Sequence, residues 1–198
     1  ARQGEDLQVE FVYRRYMARS STPTSIYTNY FGDESREIEA RRKIYGIEFP
    51  EGLQANQEFP MGTIFTPTTR GETTGHDEEL TDEEARELVD IRFGRGVYDK
   101  AKNAGFKLFE YGLIYHKQRG LILADSKFQF GLDQNGKLML IDELLTSDSS
   151  RIWLLKTYPE RFAKGENPET FDKEILRRWL AENGFTGQEG AKVPVVDP

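Results

Sequence analysis

The order of hydrophobic and polar positions predicts one strand and a long irregular region in the first third of the chain. Residues 9–17 are rich in β-branched and aromatic side chains, which predicts a strand. Residues 18–25 contain Ser, Thr and Pro and predict irregular structure. Residues 34–45 are charged and compatible with a short helix. Residues 46–75 are broken by Gly, Pro and Thr, so we expect a long loop with at most one short strand. Three aromatic residues should anchor this loop: Phe49, Phe59 and Phe65.

Two helices follow in the middle of the chain. The sequence Thr81-Asp-Glu-Glu84 is a capping box, so a helix should begin there and continue to about residue 91. After two glycines, helical spacing resumes at Val97 and should end at Gly120. His116, near this end, is expected to be a capping or surface residue. The apolar stripe predicted to face the core is Val97, Ala101, Ala104, Leu108, Tyr111 and Tyr115.

A β-hairpin is the most informative pattern in the chain. Residues 121–132 and 137–143 both read as strands, and Asp-Gln-Asn-Gly at 133–136 is a turn sequence. Successive side chains of a strand point to opposite faces. Asp125, Lys127, Gln129 and Gly131 should therefore share one face, whereas Ala124, Ser126, Phe128 and Phe130 should share the apolar one.

A symmetric turn places Asp142 opposite Lys127 and Leu140 opposite Gln129. Asp125, Lys127, Gln129 and Asp142 would then converge on one side of the hairpin. Two interpretations of this polar face remain open from the residues alone. It is either a solvated face with a cross-strand ion pair, which contributes little stability, or a ligand site.

The loop after the hairpin favours a site for an anion. Residues 144–151 are rich in hydroxyl groups and end in Arg151, which could present donors to a phosphate or carboxylate. Carboxylates beside such a loop are typical of Mg²⁺–nucleotide chemistry, because Mg²⁺ takes one or two carboxylates together with substrate phosphates. This combination leaves the two interpretations about equally supported.

Composition excludes several classes of function. The chain of 198 residues has no cysteine, which rules out disulfides, thiolate metal sites and a cysteine nucleophile. Its net charge of −7 argues against a nucleic-acid-binding protein. No apolar run is long enough to span a bilayer, so we expect a soluble cytoplasmic protein. The familiar glycine-rich phosphate loops are absent, and two histidines, His76 and His116, are too few for a zinc site.

Six stretches, taken together, resemble the SAICAR synthetase family (phosphoribosylaminoimidazole-succinocarboxamide synthase). They occur in the family's order and cover most of the chain, and the pair IFTPTT…GHDE and LADSKF…DELLTSDSSR is the most specific of them. The stretches are VEFVYRRYMARSS (9–21), GLQANQEFP (52–60), IFTPTTRGETTGHDEELT (64–81), GLILADSKFQFGLD (120–133), LIDELLTSDSSRIW (140–153) and FDKEILRRWL (171–180).

The resemblance implies a fold and an activity. The fold would be α+β, the family's larger domain, with an antiparallel sheet and packed helices. The activity would be that of an ATP- and Mg²⁺-dependent ligase of purine biosynthesis. It joins the carboxylate of an aminoimidazole ribonucleotide to L-aspartate through an acyl phosphate. Its partners would be these small molecules, with no nucleic acid or membrane, and the chain could form a homo-oligomer.

The resemblance also assigns roles to individual residues. Arg14, Ser20 and Arg151 would bind the ribose phosphate, a role that suits guanidinium groups. Asp77, Asp125 and Lys127 would face the imidazole ring and its carboxylate as the catalytic group. On the nucleotide side stand Arg70, where the family usually has lysine, and two metal ligands, Asp142 and Gln129.

Two of the matching positions depart from the family pattern. Gln129 replaces a glutamate that helps to ligate Mg²⁺, and Arg19 replaces a glycine just before Ser20. Nothing before Val9 resembles the family's small N-terminal β domain, whose K-x-x-x-G-K-type loop covers ATP. We expect most of that domain to be lacking here, either because the chain is a fragment or because the protein works without it. We predict residues 1–8 as a tail or domain junction, 9–183 as the substrate and metal domain, and 184–198 as a C-terminal tail.

Two functions follow as hypotheses. The first is the ligase, favoured by the matching polar residues of the substrate and metal sites. The second is a non-catalytic or substrate-shifted paralogue that binds a purine-precursor-like phosphate ligand or a protein partner, favoured by Gln129, Arg19 and the missing loop.

Overall fold

A computed structural model of the chain describes residues 4–20, 25–32, 42–70, 77–185 and 192–195. The described part is α+β, as predicted. Its strands are β1 (Glu5–Arg14), β2 (Lys43–Ile44), β3 (Ile47–Glu48), β4 (Ile64–Phe65), β5 (Thr68–Thr69), β6 (Leu121–Leu132), β7 (Leu138–Leu140) and β8 (Ser150–Leu154). Its helices are α1 (Ile26–Phe31), α2 (Asp82–Phe93), α3 (Val97–Lys117), α4 (Tyr158–Ala163) and α5 (Glu174–Glu182).

Two long strands, β1 and β6, form the centre of a six-stranded antiparallel sheet. They pair with each other over most of their length, with Phe11 opposite Phe128 and Arg14 opposite Asp125. Strands β4 and β5 pair with the outer edge of β1, and β7 and β8 pair with the outer edge of β6. Strands β2 and β3 form a separate two-stranded sheet.

Strand β1 separates the core from a polar face by its two-residue period. Its apolar residues Leu7, Val9, Phe11 and Tyr13 are buried in the main core cluster. The intervening residues Glu10, Val12 and Arg14 line a cavity instead. β1 begins at Glu5, opposite Leu132, and ends before the predicted limit of 17. Residues 5–8, within the segment predicted as a tail or junction, therefore belong to the sheet.

Helices α2 and α3 cover the core face of the sheet. The capping box of α2 is present, since the Thr81 hydroxyl accepts from the Glu84 amide at 3.2 Å and the Glu84 carboxylate accepts from the Thr81 amide at 2.8 Å. Ala85 and Val89 of α2 reach the core cluster. The start of this helix and the interruption before α3 are confirmed.

The predicted apolar stripe of α3 is wrong in part. Ala101 is buried, but Tyr111 is 63% and Tyr115 40% exposed, and the buried face instead runs through Tyr98, Ala101, Gly105, Phe109, Gly112 and His116. Two glycines on the buried face, Gly105 and Gly112, explain the difference. A Cβ on Gly105 would lie 2.7 Å from the Tyr13 ring, so only glycine lets α3 approach β1 there. His116 is buried, with Nδ1 2.7 Å from the Gly112 carbonyl oxygen, and is not a surface residue.

The hairpin of β6 and β7 is confirmed, but its register differs by one residue from the prediction. Leu140 lies opposite Phe130 and not opposite Gln129. β7 ends at Leu140, so Asp142 is not paired with Lys127, whose amide instead donates to the carbonyl of Ser149. The turn is closed by Asp133, whose side chain accepts from the amides of residues 135 and 137, and this fixes the register.

A β-bulge in β6 corrects a second expectation. The pairing of β6 with β8 shifts between Leu123 and Asp125. Leu123 belongs to the main core cluster together with Phe128, whereas Ala124 belongs to another cluster with Trp153. Ala124 therefore does not share the face of Ser126, Phe128 and Phe130. Those three side chains are buried, as predicted.

The loop region before α2 has its own hydrophobic cluster. Phe49 and Phe59 are buried there with Met17 and Ile64, as expected for anchoring residues, and Phe65 packs partly buried against the main core. The region contains three short strands instead of one, β3, β4 and β5. Of the helix predicted over 34–45, residues 34–41 lie outside the described residues, as does His76, and 43–44 form β2.

The C-terminal described segment contains α4 and α5. Phe171, shortly before α5, and Ile175, in its first turn, are more than half exposed. Among the described residues, no helix is both long and apolar enough to cross a membrane.

Candidate active site

A cavity of about 260 Å³ lies on the face of the sheet opposite α2 and α3. Three strands supply its floor: β1 through Glu10 and Arg14, β5 through Thr68, and β6 through Asp125 and Lys127. The loop leading into β8 closes one side. These positions are neighbours because β1 and β6 pair in register, which places Arg14 directly opposite Asp125.

Asp125 holds two arginines at one end of the cavity. The Nη1 atoms of Arg14 and Arg151 each lie 3.1 Å from Asp125 Oδ2. Arg14 Nε also donates to the Thr66 hydroxyl at 3.0 Å. The side chains of Arg14, Asp125 and Arg151 are 15%, 11% and 20% exposed. Since each guanidinium has further N–H donors beyond these contacts, the arrangement is well suited to bind an oxyanion.

Lys127 and Glu10 form an ion pair in the middle of the cavity. Lys127 Nζ donates to Glu10 Oε1 at 2.6 Å, and Glu10 is buried. Burial is the largest single effect on the pKa of Lys127 and lowers it. The hydrogen bond and charge of Glu10 raise the pKa, as do the charges of Asp77 and Asp142, and together they exceed the effect of burial. The net result is a raised pKa, so Lys127 is a cation at neutral pH.

Gln129 and Thr68 complete the surroundings of Glu10. Gln129 Nε2 donates to Glu10 Oε1 and the Thr68 hydroxyl donates to Glu10 Oε2, both at 3.4 Å. Gln129 is buried and does not line the cavity. Its position next to Glu10 follows from strand pairing, because Gln129 lies directly opposite Glu10.

The hydroxyl-rich loop before β8 is ordered by its own side chains. The Ser149 hydroxyl accepts from the Thr146 amide at 3.2 Å, and the Ser150 hydroxyl donates to the Ser126 hydroxyl at 2.9 Å. Lys173 pairs with Asp148 at 3.0 Å and ties the start of α5 to the loop. The loop therefore presents Ser149 and Arg151 to the cavity on a supported backbone.

Six of the nine residues predicted as the site line this one cavity. They are Arg14, Ser20, Asp77, Asp125, Lys127 and Arg151. Tyr45 lines it too, and burial, partly offset by Arg14, raises its pKa to about 12, so it is a neutral hydroxyl.

The three residues predicted on the nucleotide side lie outside the cavity lining. Arg70 pairs with Asp6, near the beginning of β1. Asp142 is exposed and follows Ile141, whose amide donates to the Gln129 carbonyl at 3.0 Å. Asp142 is close enough for its charge to act on Lys127.

The donors at this edge fit a Mg²⁺ ion that is shared with a nucleotide. Within the described ranges, no group of three or more His, Asp or Glu residues could hold a metal by itself. Mg²⁺ bound to a nucleotide needs only one or two protein oxygens, because phosphates and water supply the rest. The exposed carboxylate of Asp142 is one such oxygen, whereas the side chain of Gln129 is buried with its amide nitrogen on Glu10.

Glu10 is the site residue that sequence reasoning missed. Its signal was present, since Glu10 and Arg14 are an even number of positions apart in a strand and so share a face. A glutamate among apolar residues of a strand, in phase with an arginine, indicates a buried polar face. Lys173 gave no such signal, because only the tertiary fold brings α5 to the loop before β8.

Comparisons with known proteins find relatives over most of the chain. The family model of SAICAR synthetase matches residues 1–194. A phosphoribosylaminoimidazole-succinocarboxamide synthase of Cyberlindnera jadinii is 42% identical over 150 residues, 76% of this chain and 47% of that protein. One of Bacteroides fragilis is 43% identical over 157 residues, 79% of this chain and 49% of that protein. The chain thus spans about half the length of the curated relatives it matches.

A solved structure agrees in fold. The SAICAR synthase of Saccharomyces cerevisiae, in complex with SAICAR, superimposes with a TM-score of 0.71 at 32% sequence identity. The superposition covers 97% of this chain and 55% of the yeast chain.

Proposed function

The chain belongs to the SAICAR synthetase family, and from this premise we propose that it provides the substrate and metal residues of an ATP-dependent amide ligase. The reaction joins the carboxylate of an aminoimidazole ribonucleotide to the amine of L-aspartate. A carboxylate oxygen attacks the γ-phosphorus of ATP, and ADP leaves. The aspartate amine then attacks the acyl phosphate carbon, loses a proton, and phosphate leaves with its oxygen.

The observation that carries the proposal is the pair of arginines on Asp125. The ribose phosphate would bind to Arg14, Arg151 and Ser20, three residues that line the cavity at one end. Asp125 would act as a positioning residue, since it accepts from both guanidinium groups and fixes their direction. Preorganised donors of this kind bind an anion without reorganising.

Lys127 would act on the reacting carboxylate. It lies two residues from Asp125 on the cavity floor and is a cation at neutral pH, so it can neutralise negative charge as the acyl phosphate forms. Glu10 would hold the ammonium in place. Asp77, also in the lining, would face the imidazole ring.

A bound Mg²⁺ would neutralise the ATP phosphates and orient them for in-line transfer. Asp142 and Gln129 would supply its protein oxygens. Arg70, which pairs with Asp6, would stand on the nucleotide side beyond the cavity.

The test is a ligase assay on the full-length protein that contains this chain. Formation of the succinocarboxamide product should require ATP, Mg²⁺, L-aspartate and the carboxylated ribonucleotide. Lys127→Met should abolish it, because among the described residues that line the cavity no other cation lies on that part of the floor. Lys164→Met, on an exposed pair of α4, should leave it unchanged. A protein that binds the ribonucleotide but never forms product would contradict the proposal and favour a binding paralogue.

A further inference from the structure

A second cavity, of about 350 Å³, adjoins the candidate active site. Ser20 and Arg151 line both cavities, so the two meet at the end where the ribose phosphate is proposed to bind. Arg19 and Asn167 add polar groups to the second cavity, and Trp153 contributes a wall of it. A phosphate bound at Ser20 and Arg151 would therefore lie between the polar groups of the first cavity and those of the second.

The charges at the phosphate end of the first cavity only partly match a phosphate ester, because two arginines share the one carboxylate of Asp125 there. Five carboxylates and four basic side chains line it. Each base is already paired: Arg14 and Arg151 with Asp125, Lys127 with Glu10, and Lys173 with Asp148. A phosphate monoester is close to a dianion at neutral pH. Two arginines and one carboxylate leave a single positive charge at the phosphate end, so a dianion would keep one negative charge without a counterpart there.

Arg19 is a cation without a carboxylate partner at this junction. Its amide donates to Asn56 Oδ1 at 3.2 Å, and its Nη2 donates to the Gly165 carbonyl at 3.2 Å. Within the described part of the chain, it forms no ion pair. A guanidinium has five N–H donors, so the contact with Gly165 leaves others for a ligand. The residue is exposed, directly precedes Ser20, and lines the second cavity together with Ser20 and Arg151.

We infer that Arg19 is a specificity-determining residue that supplies the positive charge by which the site selects a dianionic phosphate ester. The inference deepens the proposed function and rests on its placement of the phosphate at Ser20 and Arg151. Coulomb attraction is proportional to ligand charge, so Arg19 should favour a dianion about twice as strongly, in free energy, as a monoanion of the same shape.

The experiment compares two ligands that differ in charge and hardly in shape. These are the 5′-phosphate and the 5′-sulfate monoester of aminoimidazole carboxamide riboside, and the full-length protein is titrated with each by calorimetry. Arg19→Met should weaken the phosphate about fivefold and the sulfate only about twofold, as expected for one partly exposed charge. Arg19→Lys should restore most of the loss. Arg95→Met, which removes the same charge from the exposed turn between α2 and α3, should change neither.

Equal losses for the two esters, or losses no larger than those of Arg95→Met, would overturn the inference. So would a failure of Arg19→Lys to recover any discrimination between the two esters. The outcome is separate from that of the ligase assay, because this experiment reports affinity and not turnover. A charge-dependent effect of Arg19 in a protein without ligase activity would support the inference while contradicting the proposed function.

Discussion

At the scale of single residues, the site depends on one carboxylate that serves two cations. Asp125 Oδ2 accepts from both Arg14 and Arg151, each at 3.1 Å, and all three side chains are mostly buried. A shared acceptor aligns the two guanidinium groups, but neither is fully neutralised by half a carboxylate. The remaining positive character is available to a bound oxyanion.

Removal of either arginine should therefore weaken a phosphorylated ligand and spare its nucleoside. We expect Arg14→Ala and Arg151→Ala each to cost about 1.5–3 kcal/mol in binding of the nucleotide, the range for hydrogen bonds to charged groups. The dephosphorylated nucleoside should lose much less. Calorimetric titration of both ligands measures the difference. Equal losses for the two would place these arginines elsewhere than at the phosphate.

The ion pair of Lys127 and Glu10 should give stability with a defined pH range. The folded-state pKa of Lys127 is raised above its ordinary value of 10.5, so its contribution is complete below that pH and is lost as pH rises through the folded pKa. Glu10→Gln removes the partner and should cost about 1–3 kcal/mol at pH 8, as for a buried group left unpaired. Above a pH of about 10.5 the difference from the parent protein should shrink.

Urea unfolding of the parent protein and Glu10→Gln at both pH values measures this effect. Glu160→Gln is the matched control, because Glu160 and Lys164 form an exposed pair at 2.7 Å that should contribute little at any pH. If Glu10→Gln lowers the free energy of unfolding by the same amount at both pH values, the charge of Lys127 does not contribute to the effect of Glu10.

Gln129 is a neutral residue beside the carboxylate of Glu10. Its replacement by glutamate would therefore add negative charge at this position. Gln129 Nε2 lies 3.4 Å from a carboxylate oxygen of Glu10, which already holds Lys127. Gln129→Glu would place a second carboxylate against Glu10, with one ammonium for two acids. We expect this variant to be less stable without metal and to gain more stability from Mg²⁺ and ADP than the parent protein, because Mg²⁺ prefers anionic oxygens.

Thermal unfolding with and without Mg²⁺, in the presence of ADP, tests the metal site. Gln129→Met is the control that removes the amide without adding charge. Asp142→Asn should abolish the metal-dependent gain in either background. The same response to Mg²⁺ in Gln129→Glu and the parent protein would show that this side chain does not face the metal, and an intact gain in Asp142→Asn would exclude Asp142 as a ligand.

At the scale of secondary-structure elements, strand β1 and helix α3 pack closely because the helix has a glycine at the contact. The Tyr13 hydroxyl donates to the Lys102 carbonyl at 2.6 Å, and the Tyr13 ring is fully buried, so it cannot move away from a larger residue. A Cβ on Gly105 would lie 2.7 Å from that ring. Close packing here keeps β1 fixed, and β1 carries Glu10 and Arg14 into the cavity.

Gly105→Ala should therefore destabilise the protein although alanine favours helices. Helix propensity would favour alanine by about 1 kcal/mol, but overpacking of a rigid contact costs about 1–3 kcal/mol. We expect a net loss of up to about 2 kcal/mol in the free energy of unfolding. Asn103→Ala, at an exposed position of α3, should instead be neutral or slightly stabilising. A gain of stability in Gly105→Ala, measured by urea unfolding, would show that the contact can relax.

The same elements show what the sequence could and could not predict. The alternation in β6 correctly placed Lys127 on the cavity face and Phe128 in the core, because side-chain direction in a strand is local. The bulge near Ala124 depends on pairing with β8, a non-local partner, and left no mark in the pattern. The buried face of α3 was misjudged because glycines at close contacts do not count as hydrophobic in a periodicity argument.

The register of the hairpin was another feature that the sequence did not predict correctly. A turn sequence locates the reversal, but the residue that closes it decides which side chains meet, and Asp133 shifted the register by one. The predicted pairing of Asp142 with Lys127 was therefore wrong, although the two remain electrostatically close. All nine site residues were assigned by resemblance, and six of them line the cavity.

At the scale of the whole molecule, one cavity brings together the residues that are proposed to contact the ribonucleotide. Arg14, Ser20, Asp77, Lys127 and Arg151 line a single cavity built on paired strands and on a loop held by its own hydroxyls. The candidate metal oxygens lie outside that cavity, at the edge of the hairpin. Because the residues proposed for the ribonucleotide and those proposed for the metal have no member in common, we expect the ribonucleotide to bind without Mg·ATP.

We therefore predict that SAICAR, the product of the proposed reaction, stabilises this chain in the absence of ATP and Mg²⁺. A ligand that binds only the folded state adds about 2.7 kcal/mol at a concentration of 100 times its Kd. Thermal unfolding in the presence of increasing SAICAR should show this shift, whereas the dephosphorylated nucleoside should give a much smaller one. The double variant Arg14→Ala/Arg151→Ala should lose the shift, and Glu160→Gln should keep it. A shift that appears only after Mg²⁺ and ADP are added would mean that the nucleotide site organises the substrate cavity, contrary to the independence inferred from the fold.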